Sequence, residues 1–257
     1  MKRAVVTGAT GFLGGHLARR LADDAAWTVV GLGRDAVAGA ALEQAGVPFV
    51  RSDLAAGDAA ARLAEICRGA DVVYHCAALS TPFGPAAAFR AANVDGTAAV
   101  IAACEAAGVG RLVHVSSPSV AFRWRDRLHV REDDALPRPA TRYAASKRAA
   151  EALVRTAVGG GLDAVVLRPR ALIGPGDTAV LPRIVAALER GRLPVIGDGH
   201  ALADVTVVDN AVDAMLAAAT ATREIVRGRT YNISNGAPVS IWPMIARIAA
   251  ALDLPPP

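Results

Sequence analysis

Tyr143 and Lys147 stand four residues apart in Tyr143-Ala144-Ala145-Ser146-Lys147, a spacing that sets a phenol and an ammonium on one face of a helix. A neighbouring cation favours the phenolate and draws a tyrosine toward neutral pH, so the pair can exchange a proton with a substrate oxygen. Such a pair can equally be a solvated helix face. The segment Val113-His114-Val115-Ser116-Ser117, one strand earlier, favours chemistry because it brings a hydroxyl to the same sheet edge. A second group of residues lies near the amino terminus, where Thr7-Gly8-Ala9-Thr10-Gly11-Phe12-Leu13-Gly14 places glycine at every third position. Gly8 permits a tight turn, Gly11 lets backbone approach a pyrophosphate, and Gly14 lets a helix pack closely on a strand. Free N–H groups at the helix start then face an anion. A glycine-rich hairpin would share the composition but not the flanking elements.

Those elements are a strand before the turn, carried by Arg3-Ala4-Val5-Val6, and a helix after it with Leu13, Leu17, Ala18 and Leu21 on one face. Further strands are expected at residues 28–32, 49–50, 72–76, 112–116 and 164–167, with helices around 57–68, 86–107 and 141–158. Continuous apolar strands alternating with helices predict a doubly wound parallel sheet covered on both faces, a Rossmann α/β fold. Ligands then bind at the carboxyl ends of the strands, where the strand order reverses. From Gly174 onward glycine and proline punctuate the chain. Residues 1–173 are therefore expected to form a dinucleotide-binding domain, and 174–257 a small substrate lobe interleaved with the main sheet.

The chain has 257 residues, 53% apolar and only 4% aromatic, with a net charge of +4. That is enough for a large core of Ala, Val and Leu. Cys67, Cys76 and Cys104 are odd in number and form no CxxC pair, so they read as small buried hydrophobes of a reducing, cytoplasmic compartment, and no metal site is expected. Lys2 and Arg3 precede an apolar run, but glycines and a histidine break it too soon for a secretory signal. No stretch approaches a membrane span. Arginines are scattered rather than massed, which does not suggest nucleic acid, although a basic cleft would suit an anionic cofactor.

The ordered set of motifs resembles the extended short-chain dehydrogenase/reductase family of nucleotide-sugar epimerases, dehydratases and 3β-hydroxysteroid dehydrogenase-like enzymes. The resemblance rests on the glycine turn, His75-Cys76-Ala77-Ala78, Asn93-Val94-Asp95-Gly96-Thr97, Ser116-Ser117, the Tyr143/Lys147 pair, Leu167-Arg168-Pro169, Gly197-Asp198-Gly199 and Val208-Asp209-Asn210. It implies a nicotinamide-dependent transfer of hydride between cofactor and a secondary alcohol or ketone. Tyr143 would be the acid/base, Lys147 the ribose anchor, and Ser117 rather than Ser116 the hydroxyl orienting the carbonyl. It further implies cofactor contacts from Gly8, Thr10, Gly11, Phe12, Leu13, Gly14, Arg34, Asp53, Leu54, Cys76, Ala77, Ala78, Asn93, Pro169 and Leu172, besides Tyr143 and Lys147. Asn93 is equally readable as a support of the active-site helix, and Asp53 as a cap of the helix that follows it.

The second strand ends at Gly33-Arg34, where NAD-preferring members carry an acid, so NADP is the expected cofactor, with NAD as the other. Asp35 blunts that preference. Members acting on nucleotide sugars commonly carry an asparagine and an arginine at the places held here by Ala171 and Ala203. The expected substrate is therefore apolar, steroid-like or a β-keto compound, in a pocket lined by residues 79–83, 121–124 and 172–173. A nucleotide-sugar epimerase or dehydratase is the alternative, for which Arg123, Arg170 and Arg183 would have to supply phosphate donors. A non-catalytic dinucleotide sensor is a second alternative. A homodimer is the candidate assembly. Family members commonly run several tens of residues further, so the lobe is expected to be incomplete or reduced.

Overall fold

The chain was analysed as a computed structural model that describes residues 1–195 and 197–257. Beginning at the amino terminus, β1 (Lys2–Thr7), α1 (Phe12–Ala22), β2 (Trp27–Gly33), α2 (Ala36–Gln44), β3 (Phe49–Arg51), α3 (Ala59–Cys67) and β4 (Val72–His75) alternate strictly. Next come α4 (Ala86–Phe89), one π turn over Arg90–Asp95, α5 (Gly96–Ala107), β5 (Arg111–Val115), α6 (Arg142–Gly159) and β6 (Ala164–Pro169). The chain continues through β7 (Leu172–Ile173), α7 (Leu181–Glu189), β8 (Leu202–Ala203), β9 (Thr206–Val207) and α8 (Val208–Thr220). It ends with α9 (Arg223–Val226), β10 (Thr230–Ile233), β11 (Val239–Ser240) and α10 (Ile241–Ala251).

Seven strands form one parallel sheet in the order β10-β6-β5-β4-β1-β2-β3. β4, β5 and β6 are buried along their whole length, as are Ala4, Val5 and Val6 of β1. A strand covered by helices on both faces has no solvent side, so its residues are apolar continuously rather than alternately. α1 buries Leu13, Leu17, Ala18 and Leu21 and leaves Arg19 and Arg20 outside. Leu63 and Cys67 of α3, Val100, Ile101 and Cys104 of α5, and Val154 and Ala157 of α6 join Leu112 and Ala164 in the main core. Each buried aliphatic side chain stabilises by about 1.5–3 kcal/mol.

Two compact units result, one comprising Met1–Arg168 and Val212–Asn232, the other Pro169–Ala211 and Ile233–Pro257. Within the first, Arg111 fastens the returning segment. Its Nη1 donates to the carbonyls of Ala218, Ala219 and Ala221 at the end of α8, and its Nη2 pairs with Asp163 at 2.9 Å. A cation is favoured there because the last carbonyls of a helix lack intrahelical partners. The second unit is built differently. β7 pairs with β9 in parallel, β8 with β11 antiparallel, and Leu188 of α7 packs with Ile245 and Ala249 of α10. Buried Thr206 donates its hydroxyl to the carbonyls of Arg170 and Ile233.

β1, β2 and β3 step outward in one direction and β4 returns to the other side of β1. The reversal opens a crevice at the carboxyl ends of β1 and β4, within the first unit.

Candidate functional site

The crevice is a cleft with about 730 Å³ of atom-free space, open at its mouth and lined by the glycine turn, Gly33-Arg34, Ser52 to Ala55, Cys76 to Ala78 and Ala92. Gly8 has φ +72°, and a Cβ there would lie 2.6 Å from the nitrogen of Ala77. A Cβ at Gly14 would be driven into the carbonyl of Gly8. These two glycines let α1, the turn and the β4 edge close on one another. Gly11 caps α1 without any side-chain hydrogen bond, so the first-turn N–H groups keep their capacity for an anion. The backbone shape, the glycine cradle and the open helix end fit a dinucleotide pyrophosphate.

The far end of the cleft is formed by Gly33, Arg34 and the loop after β3. A Cβ at Gly33 would meet the side chain of Thr10, with its Cγ2 at 2.7 Å, so Thr10 fills the space an acid would need. Arg34 is exposed at the cleft and its carbonyl accepts from Arg51 Nε at 3.2 Å. Asp35 is committed elsewhere, since its carboxylate accepts from the N–H groups of Val37 and Ala38 and caps α2. Asp53 accepts from the N–H of Ala55 and lines the cleft. It does not cap α3, whose first flanking residue is Asp58.

α6 carries the phenol and the ammonium. Thr141 starts this helix by accepting from the N–H of Ala144 at 3.0 Å. The hydroxyls of Ser117 and Ser80 favour the Tyr143 phenolate, against burial, which opposes it. Ser117 also accepts from the N–H of Ser119, which fixes the short turn after β5, whereas Ser116 is buried with no hydrogen-bond partner for its hydroxyl among the described residues. Lys147 is buried and donates from Nζ to the carbonyl of Val115 at 2.7 Å. Its pKa falls to about 8, because burial opposes the charge more strongly than Cys76 and Glu151 support it.

The tyrosine corrects a sequence expectation. Its pKa is raised, not lowered: burial opposes the phenolate, and the relief comes from the two serine hydroxyls rather than from Lys147. The ammonium shares a helix face with the phenol but spends a hydrogen bond on a backbone carbonyl.

Asn93 organises the surroundings. It is buried on the π turn, accepts from the N–H of Leu79 at 2.6 Å, and donates to the carbonyl of Leu79 at 3.1 Å and to Ser146 Oγ at 2.9 Å. Ser146 in turn donates to the carbonyl of Tyr143. One amide thereby ties the loop bearing Ser80 to the helix bearing Tyr143. A π turn inserts a residue into a helix, which swings that side chain to an angle a regular helix would not offer. Behind it, His75 joins Thr7 at 2.8 Å to Thr97 at 2.9 Å.

The sequence placed Ser80 only within the pocket-lining stretch 79–83 without singling it out, and it did not mark the ion pair between Glu151 and Arg168, buried and bidentate at 2.8 and 2.7 Å. The stripe Tyr143, Lys147, Glu151 at four-residue steps is a signal that could have revealed the second. No comparable signal marks Ser80. Pro169 ends β6 and Leu172 opens β7, both in the second unit. Phe83 and Trp124 are 87% and 84% exposed, and Phe122 meets Trp124 edge to face at 5.1 Å. Arg123 is partly occupied by the carbonyl of Ala135. Ala171 has φ +37° and Ala203 pairs with Val239. All three cysteines are free, Cys76 at the cleft and the others in the core. Among the described residues no cluster of His, Cys, Asp and Glu could hold a metal ion, and no helix is long and apolar enough to cross a membrane.

With this geometry in place, comparison with known proteins is informative. Residues 4–234 match the model of the NAD dependent epimerase/dehydratase family. The chain is 37% identical over 263 residues to the 2-alkyl-3-oxoalkanoate reductase of Stenotrophomonas maltophilia (strain K279a), covering 98% of this chain and 76% of that one. It is 32% identical over 272 residues to the human sterol-4-alpha-carboxylate 3-dehydrogenase, decarboxylating, covering 100% and 71%. The solved structure of UDP-glucuronic acid 4-epimerase from Bacillus cereus, in complex with UDP-glucuronic acid and NAD, superposes with a TM-score of 0.82 at 25% identity, covering 96% and 83%.

Proposed function

Because the chain belongs to the NAD-dependent epimerase/dehydratase family, we propose that it is a nicotinamide-dependent oxidoreductase that interconverts an apolar ketone and its secondary alcohol. The observation that carries the reading is Tyr143, whose phenolate is favoured by the Ser117 and Ser80 hydroxyls, on the helix that follows β5 of the parallel sheet. In the reducing direction Tyr143 gives its proton to the ketone oxygen as the carbonyl carbon gains hydride, and in the oxidising direction it removes that proton. The nicotinamide supplies or accepts the hydride when bound. Ser117 and Ser80 stabilise the phenolate that remains, and Lys147 contributes positive charge and a ribose contact. The glycine cradle and Cys76 to Ala78 complete the cofactor contacts within the first unit.

NADP is the preferred cofactor in this reading. Thr10 fills the space beside Gly33, Arg34 presents a guanidinium, and Asp35 is consumed in capping α2. A guanidinium pairs bidentately with a phosphate, which suits the 2′-phosphate of NADP. The substrate is mainly apolar because Ala171 and Ala203 offer no phosphate donor and because the similar reductase and sterol dehydrogenase are named for compounds with an alkyl or sterol body, each bearing a carboxylate. Its cellular setting is the cytoplasm, in keeping with three unpaired thiols. The superposable epimerase favours a second reading, sugar epimerisation.

The test mixes the purified chain with NADPH or NADH and, in parallel, long-chain 3-oxo compounds, steroid ketones and UDP-sugars. Ketone-dependent oxidation of NADPH that falls about 10²–10⁴-fold in Tyr143→Phe, with cofactor affinity retained, supports the proposal. Saturable binding of a UDP-sugar with no response to any ketone would replace it with the epimerase reading.

A further inference from the structure

The chain contains 28 basic residues, of which only Lys2 and Lys147 are lysines. Twenty-six positions thus use a cation that never loses its proton, and the buried position beside the phenol uses one that can. What decides the charge of Lys147 is therefore a question the structure must answer locally.

Burial opposes that charge. Of the three donors of the ammonium, one is satisfied by the carbonyl of Val115. The groups that face it come from four elements. β4 and its exit bring His75 and Cys76, β5 brings His114, and α6 brings Glu151, one turn beyond. β6 adds Arg168, fixed on Glu151. His75 and His114 are held neutral by burial, and the Cys76 thiol is pushed up to about 12. Neither histidine nor cysteine offers an anion at neutral pH. The carboxylate of Glu151 does.

A lone carboxylate buried there would itself tend to take a proton. Arg168 prevents this, because its guanidinium cannot deprotonate and grips both carboxylate oxygens at once. The side chains are 3% and 2% exposed, so the pair cannot relax toward solvent. Two cations and one anion leave a single positive charge, placed on the helix that carries Tyr143.

We propose that the Glu151–Arg168 ion pair is the fixed counter-ion of Lys147, a positioning pair that keeps this ammonium charged beside Tyr143. Its bearing on turnover rests on the oxidoreductase reading above; its bearing on Lys147 does not. Burial alone would push this lysine lower still. The pair raises it again without spending a hydrogen bond that Lys147 needs for a ribose.

Two lysines make the test direct. The full chain labelled with ε-¹³C-lysine gives two signals, and exposed Lys2 is the internal reference. In Glu151→Gln the titration midpoint of Lys147 should fall by about one pH unit or more, a tenfold change in its ionisation constant. The alkaline limb of kcat/KM for ketone reduction should move down by the same interval, and Glu151→Asp should recover part of it. Should Glu151→Gln fail to fold because Arg168 is left unpaired, the paired variant Glu151→Gln/Arg168→Gln leaves no unpaired guanidinium and should also lower the midpoint. An unmoved midpoint in a folded variant overturns the proposal even if ketones are reduced. A lowered midpoint in a chain that reduces no ketone upholds it and sinks the oxidoreductase reading instead.

Discussion

Tyr143 is harder to ionise than its lysine neighbour would suggest, and the two serines beside it carry the compensation. Ser117 belongs to the strand edge and reaches the phenol by its position after β5. Ser80 comes from a separate loop and arrives because Asn93 holds Leu79 to α6. Each hydroxyl stabilises the phenolate by about 1 kcal/mol or somewhat more. Removing Ser80 should therefore cost about 5–10-fold in kcat for ketone reduction and raise the pH at which the tyrosine titrates. Steady-state kinetics of Ser80→Ala against pH checks this. Asn93→Ala should mimic the loss, because it frees the loop that presents Ser80. Full activity in both variants would remove the loop from the site.

At the scale of elements, the end of β2 and the turn before α1 act as one unit. Thr10 occupies the space beside Gly33, so the cofactor preference belongs to a pair of positions rather than to one. We predict that parent chain binds NADPH more tightly than NADH by about 1–3 kcal/mol, and that Arg34→Ala removes most of this gap. Gly33→Asp alone should bind neither cofactor well, because the new side chain collides with Thr10. Adding Thr10→Ala to it should restore NADH binding, with the acid now free to meet a ribose hydroxyl. Calorimetry on the four proteins decides the matter; equal NADH affinity in the single and double variants would show that Thr10 is no obstacle. The π turn makes a similar point. An unbroken α-helix through Arg90–Asp95 would rotate Asn93 away from Leu79.

Across the whole molecule, the central sheet buries two histidines that cannot charge. His75 lies at about 3 and His114 well below its ordinary value, both because burial penalises the imidazolium. Their folded pKa is depressed below the unfolded value near 6.5, so below that pH the unfolded chain takes up protons that the folded chain refuses. Stability should be unaffected above neutral pH and fall progressively as pH drops below 6.5. By pH 5 the loss from His75 should reach about 2 kcal/mol, and His114 adds to it in the same direction. His114 has no hydrogen-bond partner for either ring nitrogen among the described residues, so His114→Leu should keep the fold and reduce this acid sensitivity. Thermal unfolding of parent and variant at pH 7 and pH 5 measures both effects. Lys147 acts in the opposite range, where its own penalty is relieved as pH rises from about 8 toward 10.5.

The sequence by itself determined the architecture and the cofactor cradle. Continuous apolar strands, glycines at fixed spacing and helical stripes are local patterns, and each constrains its own backbone whatever lies elsewhere. The proposed set of Ser117, Tyr143 and Lys147 was legible for the same reason, since Tyr143 and Lys147 share a helix and Ser117 follows the strand before it. Only the tertiary structure decided which groups act on them. Ser80 and Ser117 meet the phenol from different elements, Glu151 is gripped by Arg168 across seventeen positions, and Thr10 reaches Gly33 across the β1–β2 pairing. It also decided the charge balance, turning an expected lowering of Tyr143 into a rise. A pKa depends on burial and on every neighbour within a few ångströms, and those distances exist only after the chain has closed on itself.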